Sequence, residues 1–218
     1  MKLFAFALET TKELVPMGES RNVYVEPDDR AVIRTSDVYQ TAVEIGTTGY
    51  SDTLLAIVAN FKNSGAPEGF NAQSMVGKSK RGEVALRLFA VIDPETETFM
   101  RAGFKTRGCL AMTACASAVC SMIEGKTLSE ALAFGPDEVR EAVDGVPWDK
   151  VHTLYFAAEG VRALVGDYLI GQGAALADLD TTVPCDECSI PCAMCEHCSL
   201  RDARVELLVD SLRGAGRA

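Results

Sequence analysis

The sequence predicts an α+β fold in which β-strands come first along the chain and amphipathic helices follow. Two observations indicate this. Two apolar runs rich in β-forming residues flank the turn sequence DPET, and from residue 108 onwards the apolar positions recur mainly at helical spacing. The chain has 218 residues, of which 48% are hydrophobic. That is enough to bury a core, most simply in one domain with appendages.

The first predicted strands lie in residues 1–49, where LFAFAL and NVYVEP are separated by polar turns. We treat this region as a β-rich N-terminal extension and assign it no function. The first helix is predicted after Tyr50, because Ser51 or Asp52 can serve as its N-cap and the apolar residues keep the i, i+3, i+4, i+7 spacing. These apolar residues are Leu54, Leu55, Ile57, Val58 and Phe61.

The segment GEVALRLFAVIDPETETFMRAGFKT predicts a β-hairpin, because Pro94 suits the second position of a turn between two apolar runs. Helices follow the hairpin. The sequence TLSE offers a capping box in which Thr127 caps a helix and Glu130 reaches back to it. Pro136 suits the first position of the next helix, and an apolar stripe predicts a long helix over 152–169.

We therefore divide the chain into an extension (1–49), a main domain (50–170) and a C-terminal region (171–218). The C-terminal region begins with GQGAALADLDTT, which we predict to be a linker over 171–182. A Cys-rich, metal-binding segment follows it. The chain then continues with RDARVELLVDSLR, which predicts a short amphipathic helix.

Charge and cysteine usage limit the classes of partner. A net charge of -10 argues against nucleic-acid binding, because that affinity comes mainly from clustered Lys and Arg. No stretch approaches the ~18 apolar residues of a membrane helix, and the opening MKLFAFALETTKEL lacks the cleavage pattern of a secretory signal. We expect a cytoplasmic protein without a membrane anchor, in which closely spaced cysteines more often bind metal than form disulfides.

Three of the eight cysteines fall in one predicted helix, GCLAMTACASAVC. At 100° and ~1.5 Å per residue, Cys115 lies about 240° around the helix from Cys109, and Cys120 lies ~16 Å further along the axis than Cys109. The three sulfurs therefore cannot share one ion. Cys109 follows Gly108 at the helix start, where free N–H groups and the helix dipole stabilise a thiolate. Cys115 and Cys120 are expected to be core residues.

Three motifs in order resemble the iron–sulfur cluster assembly scaffolds of the IscU/NifU amino-terminal type. They are YSDTLLAIVANFKNSG, AGFKTRGCLAMTACAS with IEGKTLSEA after it, and VPWDKVHTLYFAAEGVRALVGDY. The resemblance runs from about Tyr50 to Tyr168 and implies an antiparallel sheet packed against helices. It also implies that the protein binds iron or an Fe–S cluster, with a cysteine desulfurase as sulfur donor and apo-proteins as acceptors.

The chain departs from this family at the metal ligands, which the resemblance gives as three cysteines, an acid and a histidine. Arg81 stands in place of the first cysteine, Glu83 in place of the acid and Thr153 in place of the third cysteine. The resemblance thus leaves Cys109, His152 and Glu83 as candidate metal ligands. This set can bind Zn²⁺ or Fe²⁺ but cannot supply three thiolates to a cluster. Arg81 would repel a cation, or pair with Glu83 or Cys109.

The C-terminal sequence PCDECSIPCAMCEHCSLR has the spacing C-x2-C-x3-C-x2-C-x2-C. Overlapping C-x-x-C pairs can supply a full set of thiolate ligands to one metal centre. The compact spacing favours a [4Fe–4S] cluster over zinc, whose ribbons usually separate their pairs by a longer insert. A [2Fe–2S] cluster, zinc and a redox-active dithiol remain alternatives. The candidate cofactor ligands are Cys185, Cys188, Cys192, Cys195 and Cys198.

The leading hypothesis is a divergent iron–sulfur cluster scaffold or carrier, which exchanges ligands and turns over no substrate. The alternative is a non-scaffold binding module with a structural zinc or a redox-sensing cluster in its C-terminal segment. An enzyme that uses Cys109 is least favoured. His152 is the only histidine in the main domain, and no Asp or Asn partner can be identified to orient it.

Overall fold

The computed structural model describes residues 49–79 and 82–215. In this part of the chain, a three-stranded antiparallel sheet of order β1-β2-β3 packs against helices. The predicted α+β fold is confirmed. The strands are β1 (Ala72–Lys78), β2 (Val84–Asp93) and β3 (Thr98–Thr106). The strands predicted within residues 1–48 lie outside the described residues.

Eight α-helices accompany the sheet in these described ranges. They are α1 (Asp52–Ala59), α2 (Leu110–Ile123), α3 (Leu128–Leu132), α4 (Pro136–Ala142), α5 (His152–Gly171), α6 (Leu176–Thr182), α7 (Cys192–Cys195) and α8 (Ser199–Ala215). Short 3₁₀ turns occupy Trp148–Lys150 and Cys185–Glu187. No described helix has both the length and the apolar character needed to cross a membrane.

The predicted hairpin is confirmed as β2 and β3, whose strands meet at the pair Asp93 and Thr98. The Asp93 carboxylate accepts hydrogen bonds from the Thr96 hydroxyl (2.7 Å) and the Glu95 N–H (3.2 Å). These bonds lower the pKa of Asp93 and close the turn. The sequence did not predict β1, an edge strand that pairs with β2 from Ala72 to Lys78.

Helices α2 and α5 pack on the sheet and form most of the core. Helix α2 is buried along almost its whole length, from Leu110 to Cys120. Helix α5 contacts β1 and β2, and the Ser74 hydroxyl donates a hydrogen bond of 2.8 Å to the Gly160 carbonyl oxygen. The largest fully buried side chains are Tyr168, Phe99, Leu54, Leu86, Leu88, Ile92, Met112, Ile123, Leu154, Leu164, Leu179 and Val76.

Two predicted helix caps are confirmed. The Ser51 hydroxyl accepts from the Leu54 N–H (3.1 Å) at the start of α1. At the start of α3 the Glu130 N–H donates to the Thr127 hydroxyl (3.3 Å), and the Thr127 N–H donates to the Glu130 carboxylate (2.9 Å). These bonds satisfy N–H groups that have no partner within their own helix.

The segment predicted as a linker, 171–182, is largely helical, and that prediction was wrong. The last turn of α5 ends at Gly171, and α6 occupies Leu176–Thr182 with Leu179 fully buried. The buried Arg204 of α8 donates to the carbonyl oxygens of Leu179 (2.8 Å) and Val183 (2.7 Å). Tertiary packing therefore orders a segment whose Gly and Ala content had suggested a linker.

The glycine at position 77 is required where β1 meets α5. Gly77 has a φ of +73°, and a Cβ atom placed there would lie 2.5 Å from ring carbons of Phe156. We predict that Gly77→Ala lowers the free energy of unfolding by about 2 kcal/mol or more, because strain and overpacking add. Denaturant unfolding of both proteins measures this difference.

Gly173→Ala is the matched control, since Gly173 has a φ of +89° with no atom near its missing Cβ. It carries the backbone strain without the clash, so it should destabilise the protein less than Gly77→Ala does. Equal losses in the two variants would show that the Phe156 contact contributes nothing.

Candidate metal centre

Glu83 and Cys109 lie in the loops that precede β2 and α2. The loop before β2 is closed by the Ser79 N–H, which donates to the Glu83 carbonyl oxygen at 2.7 Å. Cys109 is the half-buried N-cap residue of α2, with extended backbone angles. Its predicted place at the helix start is confirmed. Arg81, two residues before Glu83 in the sequence, lies outside the described residues.

The Glu83 carboxylate is already paired with a cation that the sequence reasoning did not consider. One nitrogen of the Arg107 guanidinium lies 2.9 Å from Oε1 and 3.1 Å from Oε2 of Glu83. Both side chains are largely exposed to solvent. A metal ion at Glu83 would have to compete with this ion pair. In the sequence, the only sign of this ion pair was Arg107 itself, two residues before Cys109.

His152 is exposed at the start of α5, and its ring packs edge-on against Phe156 with 5.6 Å between centroids. The next residue, Thr153, is buried and faces helix α2. Its hydroxyl lies 3.6 Å from the sulfur of Cys115 and donates to the Lys150 carbonyl oxygen at 2.8 Å. The position where the family has its third cysteine is therefore a core position in this chain.

Within residues 49–79 and 82–215, no three His, Cys, Asp or Glu side chains are arranged to hold a metal ion. The structure thus gathers neither the set of Glu83, Cys109 and His152 nor the thiols of the Cys-rich segment into a ligand set. Their assignment as metal ligands stays a prediction.

An open cleft of about 690 Å³ borders the Glu83 loop. Among the described residues, three cationic side chains line it, Arg87, Lys105 and Arg107, together with the carboxylate of Glu83. His197 of the Cys-rich segment also lines the cleft, with Nε2 3.4 Å from the Gly82 carbonyl oxygen. The sequence reasoning did not place the Cys-rich segment beside this loop, because no local signal connects residues so far apart in the chain.

Cys115 and Cys120 are fully buried in the core, as predicted. Burial raises the pKa of Cys115 to about 12, although its contact with the Thr153 hydroxyl acts in the opposite direction. Burial, with a smaller effect of Glu124, also raises the pKa of Cys120. Both thiols are therefore protonated at neutral pH, as expected for packing residues.

The Cys-rich segment docks on the edge of β1. The Gly77 N–H donates to the His197 carbonyl oxygen at 2.8 Å, and the Met75 N–H donates to the Ser199 hydroxyl at 3.0 Å. Val76 and Cys198 form an antiparallel bridge between these two bonds. The segment thus satisfies backbone groups of an edge strand that would otherwise require water.

Cys195 and Cys198 have opposite shifts in pKa. The Cys195 thiol donates to the His197 carbonyl oxygen at 3.0 Å, and the Cys198 sulfur accepts from the Arg201 N–H at 3.4 Å. The neighbouring Cys195 thiol and the backbone N–H groups of α8 lower the pKa of Cys198 to about 6, whereas the pKa of Cys195 is raised. Cys198 is therefore the thiolate of the pair at neutral pH.

Two other thiols of the segment, Cys185 and Cys188, have raised pKa values. Burial is the main cause that raises the pKa of Cys185 and raises the pKa of Cys188 to about 12. The charge of Cys198 contributes to both shifts, and that of Cys192 contributes to the shift of Cys185. Cys185 and Cys192 are exposed. Cys185 and Cys188 would therefore have to lose their protons to bind a metal, whereas Cys198 would not.

Residues 49–175 match the family described as "NifU-like N terminal domain". The Cys-rich segment lies outside the matched residues. Because the match spans more than half of the chain, it confirms the resemblance drawn from the three sequence motifs.

The relatives are named for nitrogen fixation or for iron–sulfur cluster assembly. "Nitrogen fixation protein NifU" of Azotobacter chroococcum is 35% identical over 119 residues, 55% of this chain and 38% of its own length. "Iron-sulfur cluster assembly scaffold protein IscU 1" of Archaeoglobus fulgidus is 33% identical over 124 residues, 57% of this chain and 79% of its own length. The Haemophilus influenzae scaffold protein IscU is 29% identical over 127 residues, 57% of this chain and 98% of its own length. The chain thus matches well under half of the first relative.

The unequal acidity of the cysteines predicts a pattern of alkylation in the metal-free protein. We expect iodoacetamide at pH 7 to modify Cys198 rapidly, because its lowered pKa leaves it largely as thiolate above about pH 6. Cys115 and Cys120 should stay unmodified until the protein unfolds, because they are buried and protonated. Mass spectrometry of peptides after timed labelling measures each rate. Labelling of Cys120 as fast as that of Cys198 would contradict both assignments.

Proposed function

The chain belongs to the NifU-like N-terminal domain family, and from this premise we propose that it is a divergent scaffold or carrier for iron–sulfur clusters. It binds iron or a cluster and passes it to apo-proteins, with a cysteine desulfurase as the source of sulfur. Family membership and the names of the relatives support this activity. We place it in the cytoplasm, where thiols stay reduced. No catalytic residue is needed, because the chemistry is ligand exchange.

The main cluster site in this proposal is the Cys-rich segment. The observation that carries it is the docking of five closely spaced cysteines on β1, where the Gly77 N–H donates to the His197 carbonyl oxygen. The family's own site is a weaker candidate, because Glu83 is paired with Arg107 and Thr153 replaces a cysteine. Iron in this site would depend on Cys109 and His152.

The spacing of the five cysteines supports a [4Fe–4S] cluster as the cargo, with [2Fe–2S] as the smaller possibility. A cluster of either type needs four ligands from the protein, so one cysteine is left over. Cys185 and Cys192 are exposed and are therefore the ligands that an acceptor's thiolate can replace first.

Metal and sulfide analysis after anaerobic purification tests the proposal. We expect iron and acid-labile sulfide in stoichiometric amounts with the protein. Zinc without sulfide would instead support the alternative, a binding module with a structural metal.

Replacing one cysteine in each of the C-x-x-C pairs Cys185–Cys188 and Cys192–Cys195 tests the location of the metal site. We predict that Cys188→Ser combined with Cys195→Ser abolishes most of the bound metal, because each pair loses a thiolate. Inductively coupled plasma measurement of iron per folded protein gives the result. Full metal content in the double variant would place the site elsewhere.

Cys120→Ala is the control for this experiment. It removes a thiol from the core and should cost on the order of 1 kcal/mol of stability through lost packing. Its metal content should equal that of the unaltered protein. Loss of iron from this variant, with the fold retained, would mean that α2 takes part in the site.

A further inference from the structure

A buried carboxylate on α5 binds the Cys-rich segment beside its first pair of cysteines. Glu159 is only 7% exposed. Its Oε1 atom accepts a hydrogen bond of 2.7 Å from the Ser189 N–H and one of 2.6 Å from the Ser189 hydroxyl. Ser189 directly follows Cys188, whose thiol donates to the Ile190 carbonyl oxygen at 3.2 Å. Glu159 thus fixes the chain at one end of the loop from Cys185 to Cys188.

The other end of the loop is held by the neighbouring turn of α5. Arg162 donates a hydrogen bond of 2.6 Å to the carbonyl oxygen of Pro184, the residue before Cys185. Its Nε atom lies 3.4 Å from Oε2 of Glu159, so the two side chains form an ion pair. One helical turn therefore holds the residues on both sides of the first cysteine pair.

The burial of Glu159 explains why the ion pair of Glu159 and Arg162 requires the docked Cys-rich segment. A carboxylate removed from water is costly unless a cation and hydrogen-bond donors compensate for its lost hydration. Arg162 supplies the cation, and the N–H and hydroxyl of Ser189 both donate to Oε1. The second cysteine pair, Cys195 and Cys198, is held independently by β1. The Gly77 N–H donates to the carbonyl oxygen of His197, which lies between these two cysteines in the sequence.

We propose that Glu159 and Arg162 are positioning residues for the metal site of the Cys-rich segment, and that they hold the Cys185–Cys188 loop against the pair held by β1. The inference rests on the proposed function of that segment. Groups that orient metal ligands from outside the coordination sphere typically change metal affinity by about 10–100-fold when removed. The metal affinity of the Cys-rich segment then depends on residues of α5 and β1 as well as on its own cysteines.

The experiment is a Co²⁺ titration of the metal-free full chain under anaerobic, reducing conditions, followed by competition with Zn²⁺. The sulfur-to-cobalt charge-transfer absorption reports how many thiolates bind. We expect Glu159→Ala to weaken binding by about 10–100-fold and to reduce this absorption per bound ion. Glu159→Gln should restore most of the affinity, because its amide oxygen still accepts from Ser189.

Asp137→Ala is the matched control, since Asp137 forms a similar i,i+3 pair with Arg140 on α4, 3.2 Å apart. Its affinity should not change. If Glu159→Ala fails to fold, as judged by circular dichroism, Ser189→Ala replaces it, with an expected loss of several-fold from the missing hydroxyl donor. An affinity for Glu159→Ala or Ser189→Ala equal to or tighter than that of the unaltered chain would overturn the positioning role alone.

A result that contradicts the proposed function differs from one that contradicts only the role of Glu159. If the unaltered chain shows no sulfur-to-cobalt absorption, the Cys-rich segment is not a metal site, and both proposals are wrong. If it shows the absorption and Glu159→Ala shows the same, only the role of Glu159 is overturned.

Discussion

The close approach of α5 to its neighbours on two sides is the constraint on which the rest of the described structure depends. At Gly160, a Cβ atom would lie 2.9 Å from a methyl group of Leu88 in the sheet. At Gly166, a Cβ atom would overlap Leu200 of α8. These glycines are six residues apart, so they lie about 240° apart around the helix. One face of α5 therefore packs on the sheet while another receives the C-terminal region.

This arrangement makes the Cys-rich segment part of the main domain's surface. The glycines allow close approach of the helices, and polar contacts also hold the C-terminal region in place. Arg204 of α8 pairs with Asp180 and donates to two carbonyl oxygens near α6, and Lys78 of β1 pairs with Glu196 between the last cysteines. The second of these pairs is exposed and adds little to stability, whereas the buried guanidinium depends on its partners. The location of the cysteines is therefore set by helix and strand residues remote in sequence.

Local signals in the sequence predicted the elements whose stability is local. The turn DPET, the N-cap Ser51 and the capping box of Thr127 and Glu130 all involve residues within four positions of one another, and each was confirmed. Cys115 and Cys120 could be placed in the core from helical geometry alone. The family resemblance predicted the antiparallel sheet and the family to which the main domain belongs. It was specific because three separate motifs occur in the order in which the family has them.

What the sequence could not predict depends on contacts between distant segments. Strand β1 was missed because AQSMVGK is half polar, and its Gly77 becomes a strand residue only against Phe156 and His197. The helix at 176–182 was missed because the burial of Leu179 and the packing of this helix against α8 are contacts between segments distant in sequence. Glu159 was not singled out, because no local pattern in AAEGVR indicates its contact with Ser189, 30 residues further along the chain. The same reasoning applies to Arg107 and Glu83, which meet across β2 and β3.

The two candidate sites differ in how their charges are arranged before any metal arrives. Near Glu83 the local carboxylate is neutralised by Arg107, and two further cations line the cleft, so a cation gains little there from electrostatics. In the Cys-rich segment the pKa of Cys198 is lowered, whereas Cys185, Cys188 and Cys195 have raised pKa values and lose their protons only when a metal compensates for the added charge. Binding at the second site is therefore coupled to proton release. Its strength depends on how firmly α5 and β1 keep the thiols together when that release makes them repel one another.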